Sequence, residues 1–511
     1  MTYREPSLAS WLPERSALTP DRVAIDFQDR AISYRELLAA SLARADELAA
    51  LSLPPGGRVA TLARNSPEQV EVFFACAMRG WMMVPLNWRL ATPELAHQVG
   101  DSGAGVLLAS PDLMPEARQA VIQAATPTEV LELGPPRVAA PTPQPAAEVG
   151  PDTPLLLIYT SGTTGRPKGA VLTHGNCFWT NLSLDRTASL EDQAVVLQVL
   201  PQYHVGGWNV QPLLAWWKGA TVVLADGFEP TAVLRLIEAK RVTTMMGVPT
   251  MYQMLAQHPD FSTADLSSLR QVIVGGAPIP RGVLDSWLGR GVTLLQGYGL
   301  TEAAPNVLCV PPECAKTKAG SAGRPYLHVQ VRLDPQAAVG AGSGRPGPDD
   351  VGELLVFGPN VFAGYWHDPA ATQEVLAQGW LRTGDIAQRD ADGFYWIKGR
   401  RKEMYISGGE NVYPAEVEEV LLAHPGVREA AVVGVPDDRW GETGAAFIVT
   451  GEPGVNEEDL RRWVSARLAR FKAPHHWVFV AALPRAAEGG KVLRRALLDD
   501  WASRRANQHG S

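Results

Sequence analysis

Short apolar runs bounded by turn formers alternate with helically patterned stretches along most of the chain. Leu155-Leu156-Leu157-Ile158, Val222-Val223-Leu224, Val272-Ile273-Val274 and Val292-Thr293-Leu294-Leu295 each read as a strand, with helical patterns between them. This alternation predicts an α/β fold. Val72 to Trp88 is the most membrane-like stretch, but Arg79 interrupts it and it is too short to span a bilayer. A buried helix running into a strand is expected there. Pro135 to Pro154 and Pro335 to Asp350 are rich in Pro, Ala and Gly and read as loops.

The last hundred or so residues carry a pattern of their own. Pro414 suits a first helical position, followed by Val417, Val420 and Leu421 on one face, with Pro425-Gly426 closing the helix. Strands are expected over 430–435, 445–449 and 477–480. Asn456 and Asp459 resemble a capping pair for a helix that buries Leu460, Trp463, Val464 and Leu468. Two domains meeting near residue 400 follow: 1–401 and 402–511.

Length and composition narrow the function. A chain of 511 residues should hold more than one domain, and 46% hydrophobic residues suffice for sizeable cores. A net charge of -8 offers no broad basic surface, so nucleic acid is not an expected partner. Cys76, Cys177, Cys309 and Cys314 complete no zinc pattern and read as reduced thiols. Met1 to Arg22 has no signal-peptide core. A cytoplasmic protein without a transmembrane segment is expected, and a homodimer is left open.

The densest chemical signal is Tyr159-Thr160-Ser161-Gly162-Thr163-Thr164-Gly165-Arg166-Pro167-Lys168-Gly169, directly after a strand. Glycines admit close approach of an anion, while hydroxyls, amides and an ammonium donate to phosphate oxygens. Composition alone also fits a surface turn. The order is not that of a Walker A loop, because Pro167 and Gly169 flank Lys168 where Gly and Ser/Thr would stand.

This loop closely resembles the phosphate-binding signature of the adenylate-forming superfamily, which includes acyl-CoA synthetases. Companion motifs follow in family order, and the resemblance spans roughly residues 20 to 500. In Gln296-Gly297-Tyr298-Gly299-Leu300-Thr301-Glu302 it implies that Tyr298 packs on adenine beside Gly299, Thr301 meets the α-phosphate and Glu302 helps hold Mg²⁺. Asp385, in Trp380-Leu381-Arg382-Thr383-Gly384-Asp385, is implied as the ribose ligand. Within Gly399 to Pro414, the resemblance implies that Arg400 contacts the nucleotide, Lys402 is the hinge, and Gly408-Gly409 line the thiol channel. Lys491 matches the C-terminal catalytic lysine, although four residues separate Arg485 from Gly490 where three are usual. Gly275-Gly276-Ala277-Pro278 resembles the segment between acyl pocket and adenine, and Leu200 to Gly207 the segment bordering that pocket. Ser33-Tyr34-Arg35-Glu36-Leu37 and Val84-Pro85-Leu86-Asn87 are further landmarks, read as structural.

The resemblance implies a large multi-sheet N-terminal adenylation domain with a small mobile α+β C-terminal domain. It implies an AMP-forming acid–thiol ligase using ATP, Mg²⁺ and coenzyme A on a small-molecule carboxylic acid. Amino-acid-activating members carry an aspartate where this chain has Tyr203-His204-Val205-Gly206-Gly207-Trp208-Asn209. An ammonium buried there would lack a counter-charge. An apolar acid is therefore expected, a medium- or long-chain fatty acid first and an aryl acid such as 2-succinylbenzoate second. Transfer to a carrier protein and an inactive nucleotide-binding protein are the other readings. His204 is expected to gate the pocket or polarise the carboxylate, or else to be structural. Trp208, Trp216 and Trp217 either wall an apolar pocket or belong to the core.

Overall fold

The computed structural model describes residues 6–136, 148–160, 167–188, 190–335, 350–407, 410–437, 440–451, 455–468, 470–485 and 492–509. The described strands form four sheets.

The largest has nine strands, in the order Arg324–Pro325, Asn306–Cys309, Leu294–Gly299, Gln271–Val274, Thr244–Gly247, Val195–Gln198, Thr221–Leu224, Val23–Phe27 and Arg30–Ser33. Its six central strands are parallel and its ends antiparallel. Parallel strands buried on both faces read as continuous apolar runs, which is why these were legible in the sequence. The strand expected from Val292 begins at Leu294 and runs on to Gly299, carrying Gln296 and Tyr298.

A seven-stranded sheet follows the order Gly364–Tyr365, Lys168–Thr173, Pro154–Thr160, Met82–Leu86, Arg58–Leu62, Val106–Ala109 and Glu129–Glu132. The Val72 region is the expected helix, Pro67–Arg79, running into the strand Met82–Leu86. Ser33 caps the helix Tyr34–Ala49 reciprocally with Glu36, and the buried Tyr34 hydroxyl donates to Ala220 O at 2.6 Å. That landmark is structural. A third, antiparallel sheet contains Gln330–Asp334, Asp350–Phe357, Trp380–Arg389, Leu376–Ala377 and Tyr395–Arg400.

The described strands from Tyr405 onward pair only with one another: Glu410–Val412, Tyr405–Ser407, Gly441–Thr450, Val427–Asp437 and His476–Phe479. The helix Pro414–Leu422 has Pro414 at its start, and Asn456 caps Glu457–Ser465 through the amide of Asp459. That helix ends before Leu468, so only Leu460, Val464 and part of Trp463 pack from it. Helix Pro414–Leu422 packs against Tyr395–Arg400, where Gly399 lies beside Tyr413. A large multi-sheet N-terminal domain and a smaller C-terminal α/β domain result. Cys76, Cys177 and Cys309 are buried free thiols, and Cys314 is half-buried. No described helix is long and apolar enough to cross a membrane.

Candidate active site

Strands Pro154–Thr160 and Lys168–Thr173 form an antiparallel hairpin, with Thr160 opposite Lys168. The described ends of the hydroxyl-rich signature, Thr160 and Lys168, are thereby paired. Thr160 Oγ1 donates to Lys168 O at 3.4 Å. Ser161, Gly162, Thr163, Thr164 and Gly165 lie outside the described residues, as do Gly408, Gly409 and Lys491. Lys168, at the start of its strand, has its Nζ 5.3 Å from the ring centroid of Tyr365.

A second strand end faces it. Leu294–Gly299 leads into the short turn Thr301–Ala303. Gly299 is required there, since an added Cβ would lie 1.7 Å from Pro305 O. Glu302 is held twice: its carbonyl accepts from Phe362 N at 2.9 Å, and its Oε1 accepts from the Tyr365 hydroxyl at 2.8 Å. Gln296 anchors the neighbouring turn, accepting from Ile279 N at 3.2 Å and donating to Ala277 O at 3.2 Å. Gly276, Ala277 and Pro278 are thereby presented, exposed, at the end of Gln271–Val274, with Gly276 at a φ of 86°.

The third sheet supplies a carboxylate. Asp385 sits opposite Arg400 in the strand pair Trp380–Arg389 and Tyr395–Arg400. Its Oδ1 lies 2.9 Å from Arg400 Nε, and its Oδ2 accepts from the Tyr298 hydroxyl at 2.6 Å. Burial and the charge of Asp385 push the Tyr298 pKa far up, so Tyr298 keeps its proton and donates.

The structure thus brings together Lys168 and Glu302 through Tyr365, and Tyr298, Asp385 and Arg400 directly. His204 stands apart from both groups. Its ring makes no hydrogen bond to a described residue and packs 4.7 Å from Tyr203. Solvent reaches the ring, yet surrounding protein and the charge of Arg89 hold its pKa below the ordinary histidine value. It is therefore a neutral imidazole at neutral pH. Lys402 lies in the exposed turn between Arg400 and Tyr405, closed by Glu403 N and Met404 N bonding to Arg400 O.

Trp208 and Trp216 are core residues, and half-buried Trp217 packs against that core. Trp208 is fully buried, stacks on Phe73 and donates to Gln202 O at 2.6 Å. Trp216 donates to Ala24 O, and Trp217 stacks on Trp11. Their burial against distant helices was invisible in local sequence.

Sequence reasoning missed Tyr365, Asn360 and Asn176. Buried Asn360 donates to Ala303 O at 2.9 Å and Asn306 O at 3.0 Å, behind the Thr301 turn. Asn176 donates to Pro359 O and Val361 O on either side of Asn360. The pair Gly364-Tyr365 was the one available signal for Tyr365, at a distance from every motif singled out.

No group of three or more His, Cys, Asp or Glu ligands occurs among the described residues. Mg²⁺ keeps waters and commonly takes one or two carboxylates together with substrate phosphates. Glu302 is a carboxylate of that kind.

Residues 12–366 match the AMP-binding enzyme family, and residues 416–490 match the AMP-binding enzyme C-terminal domain. The chain belongs to the AMP-binding enzymes. A feruloyl-CoA synthase from an Amycolatopsis species is 42% identical over 96% of this chain and 99% of its own. The long-chain-fatty-acid–CoA ligase FadD13 of Mycobacterium tuberculosis is 36% identical over 93% of this chain and 94% of its own. The o-succinylbenzoate coenzyme A synthetase of Bacillus subtilis, solved with ATP and a magnesium ion, superposes with a TM-score of 0.85 at 33% identity, covering 95% and 98% of the two chains. As an AMP-binding enzyme, this chain is an AMP-forming acid–CoA ligase that uses ATP, Mg²⁺ and CoA. The expectation of a fatty acid is supported only to the level of an acyl or aryl acid.

Proposed function

We propose that this ligase activates a compact aromatic carboxylic acid, of the arylpropenoic type, and transfers the acyl group to CoA. The observation that carries the reading is the filled face of the parallel sheet below the Gly275 turn. Met246, Ile273 and Leu295 are side by side in register, on the face that Gly275 and Gly297 continue. A Cβ on Gly275 would lie 3.0 Å from Met246 Cε, and Ile273 and Leu295 are each 2% exposed. A long acyl chain running down this face would displace Met246, whereas a flat ring rests against it. The 42% identity to a feruloyl-CoA synthase supports the same class.

In this reading the acid carboxylate attacks the α-phosphorus of ATP, the bond to pyrophosphate breaks, and an acyl-adenylate forms. Lys168 and the segment Thr160 to Gly165 take the β- and γ-phosphates, and Thr301 meets the α-phosphate. Asp385 accepts from the ribose hydroxyls, the Tyr298 ring lies along adenine beside Gly299 and Gly276 to Pro278, and Arg400 faces the nucleotide. Glu302 and substrate oxygens hold Mg²⁺, which when bound draws charge from the phosphates. Neutral His204 borders the acid. Lys491 stabilises charge developing at the α-phosphate. The C-terminal domain then turns at Lys402, the 1–401 and 402–511 units exchange faces, and Gly408-Gly409 admit pantetheine. The thiol attacks the acyl carbonyl and AMP leaves.

The test is ATP–pyrophosphate exchange and thioester formation with arylpropenoic acids, arylacetic acids, 2-succinylbenzoate and fatty acids. An arylpropenoate should exceed every fatty acid in kcat/KM by at least about tenfold, the order that pocket fit supplies. A fatty-acid preference would overturn this in favour of the second reading, which the FadD13 relationship supports. Release of ADP in place of AMP would sink the mechanism.

A further inference from the structure

Tyr365 offers two chemically different ends to two oppositely charged side chains. Its strand closes the edge of the seven-stranded sheet, pairing Gly364 with Val171 and Tyr365 with Ala170, next to Lys168. The ring face meets the Lys168 ammonium at 5.3 Å, while the hydroxyl donates to Glu302 Oε1 at 2.8 Å. The residue is itself fixed. Its amide donates to Thr372 Oγ1 at 2.9 Å, Phe362 packs edge-on at 5.0 Å, and Trp366 N bonds to Gly169 O at 2.7 Å. Among the described residues, Lys168 makes no ion pair with any carboxylate.

We propose that Tyr365 is a positioning residue that keeps Lys168 and Glu302 from neutralising one another. It thereby reserves the ammonium for the triphosphate and the carboxylate for Mg²⁺. The inference rests on the roles given above to Lys168 and Glu302. A tyrosine suits the task because its ring face attracts a cation while its hydroxyl satisfies an anion. Without the ring, the two charges are free to collapse into an ion pair that ATP would have to break on entry.

The roles separate in two variants. Tyr365→Phe keeps the ring and loses the hydroxyl; Tyr365→Leu loses both. ATP binding is measured by calorimetry with and without Mg²⁺, alongside the Mg²⁺ dependence of pyrophosphate exchange. Tyr365→Phe should raise the Mg²⁺ concentration for half-maximal ATP binding about fivefold, the effect of one hydrogen bond, and leave Mg²⁺-free ATP binding unchanged. Tyr365→Leu should also weaken Mg²⁺-free ATP binding. In a Glu302→Gln background, adding Tyr365→Phe should change little, because the hydroxyl acts through Glu302. Wild-type Mg²⁺ dependence in Tyr365→Phe, or an undiminished effect in the Glu302→Gln background, overturns the proposal. Absence of Mg²⁺-dependent ATP binding in the wild-type protein would overturn the site reading itself.

Discussion

The hydroxyl of Tyr298 and the carboxylate of Asp385 meet at 2.6 Å, although 87 residues separate them in sequence. One belongs to the nine-stranded sheet and the other to the antiparallel third sheet. Arg400 grips the second carboxylate oxygen at 2.9 Å. Asp385 is 5% exposed, so both contacts lie largely out of solvent.

Replacing Asp385 with Asn should therefore act twice, removing the paired charge beside Arg400 and, in the proposed mechanism, weakening the acceptor for ribose. A loss of about 2–3 kcal/mol is expected, roughly 30- to 150-fold in kcat/KM for ATP. The measurement is pyrophosphate exchange against ATP concentration. Unchanged kcat/KM would place the ribose elsewhere.

In the proposed mechanism Lys491 serves the first half-reaction alone. On the described residues flanking it, Arg485 bridges to Val492 and Leu493 N bonds to Pro484 O at 2.8 Å. Lys491→Ala should abolish most adenylation, by a factor on the order of 10² or more, the scale of removing one group that stabilises transition-state charge. A supplied acyl-adenylate should still be converted to thioester at near the wild-type rate. Equal loss in both steps would show that the longer loop delivers another residue.

Lys402→Pro tests the pivot. Proline would fix φ near about -65° and remove an amide hydrogen in the turn after Arg400. Adenylation should survive and thioester formation should fall steeply, because only the second step needs the domain to turn. Rapid-quench measurement of the two half-reactions distinguishes them, and intact thioester formation would move the hinge elsewhere.

The buried strands and the nucleotide motifs were legible because each is a local pattern: an apolar run, or an ordered set of side chains at a strand end. Tyr365 was not, since a two-residue strand has no periodicity and its worth depends on Glu302, 63 residues away. Asn176 and Asn360 were equally silent, because buried amides that tie distant backbone carbonyls look in sequence like ordinary turn or cap residues. Trp208, Trp216 and Trp217 carried an ambiguity that only packing resolved. An aromatic cluster has the same spelling whether it faces a ligand or a neighbouring helix.

His174 gives a pH prediction. It is fully buried, its Nδ1 accepts from Leu8 N at 3.1 Å, and its pKa is pushed down from 6.5 to about 4 by burial. The unfolded chain takes up this proton first as pH falls. The stability tied to neutral His174 is therefore complete above 6.5 and is lost as pH drops toward 4, by about 3 kcal/mol in all. Glu71 has the opposite slope, its pKa raised to about 7 by burial despite Arg44. The test is accordingly a difference: His174→Asn, whose Oδ1 can replace Nδ1 as acceptor, against wild type in urea melts. The variant should gain on wild type between pH 6.5 and 4, and parallel curves would refute the assignment.

Lys168 comes from the seven-stranded sheet, Tyr298 and Glu302 from the nine-stranded sheet and the turn that follows it, and Asp385 and Arg400 from the third. None of these layers holds all five residues. With the site assigned to these residues, ATP acts as a staple across three layers, and any folding intermediate with one layer undocked has no pocket to fill. Ligand stabilisation then falls on the assembled layers, in proportion to the logarithm of ATP over its dissociation constant. Nucleotide affinity, in this protein, doubles as a gauge of how completely its sheets have come together.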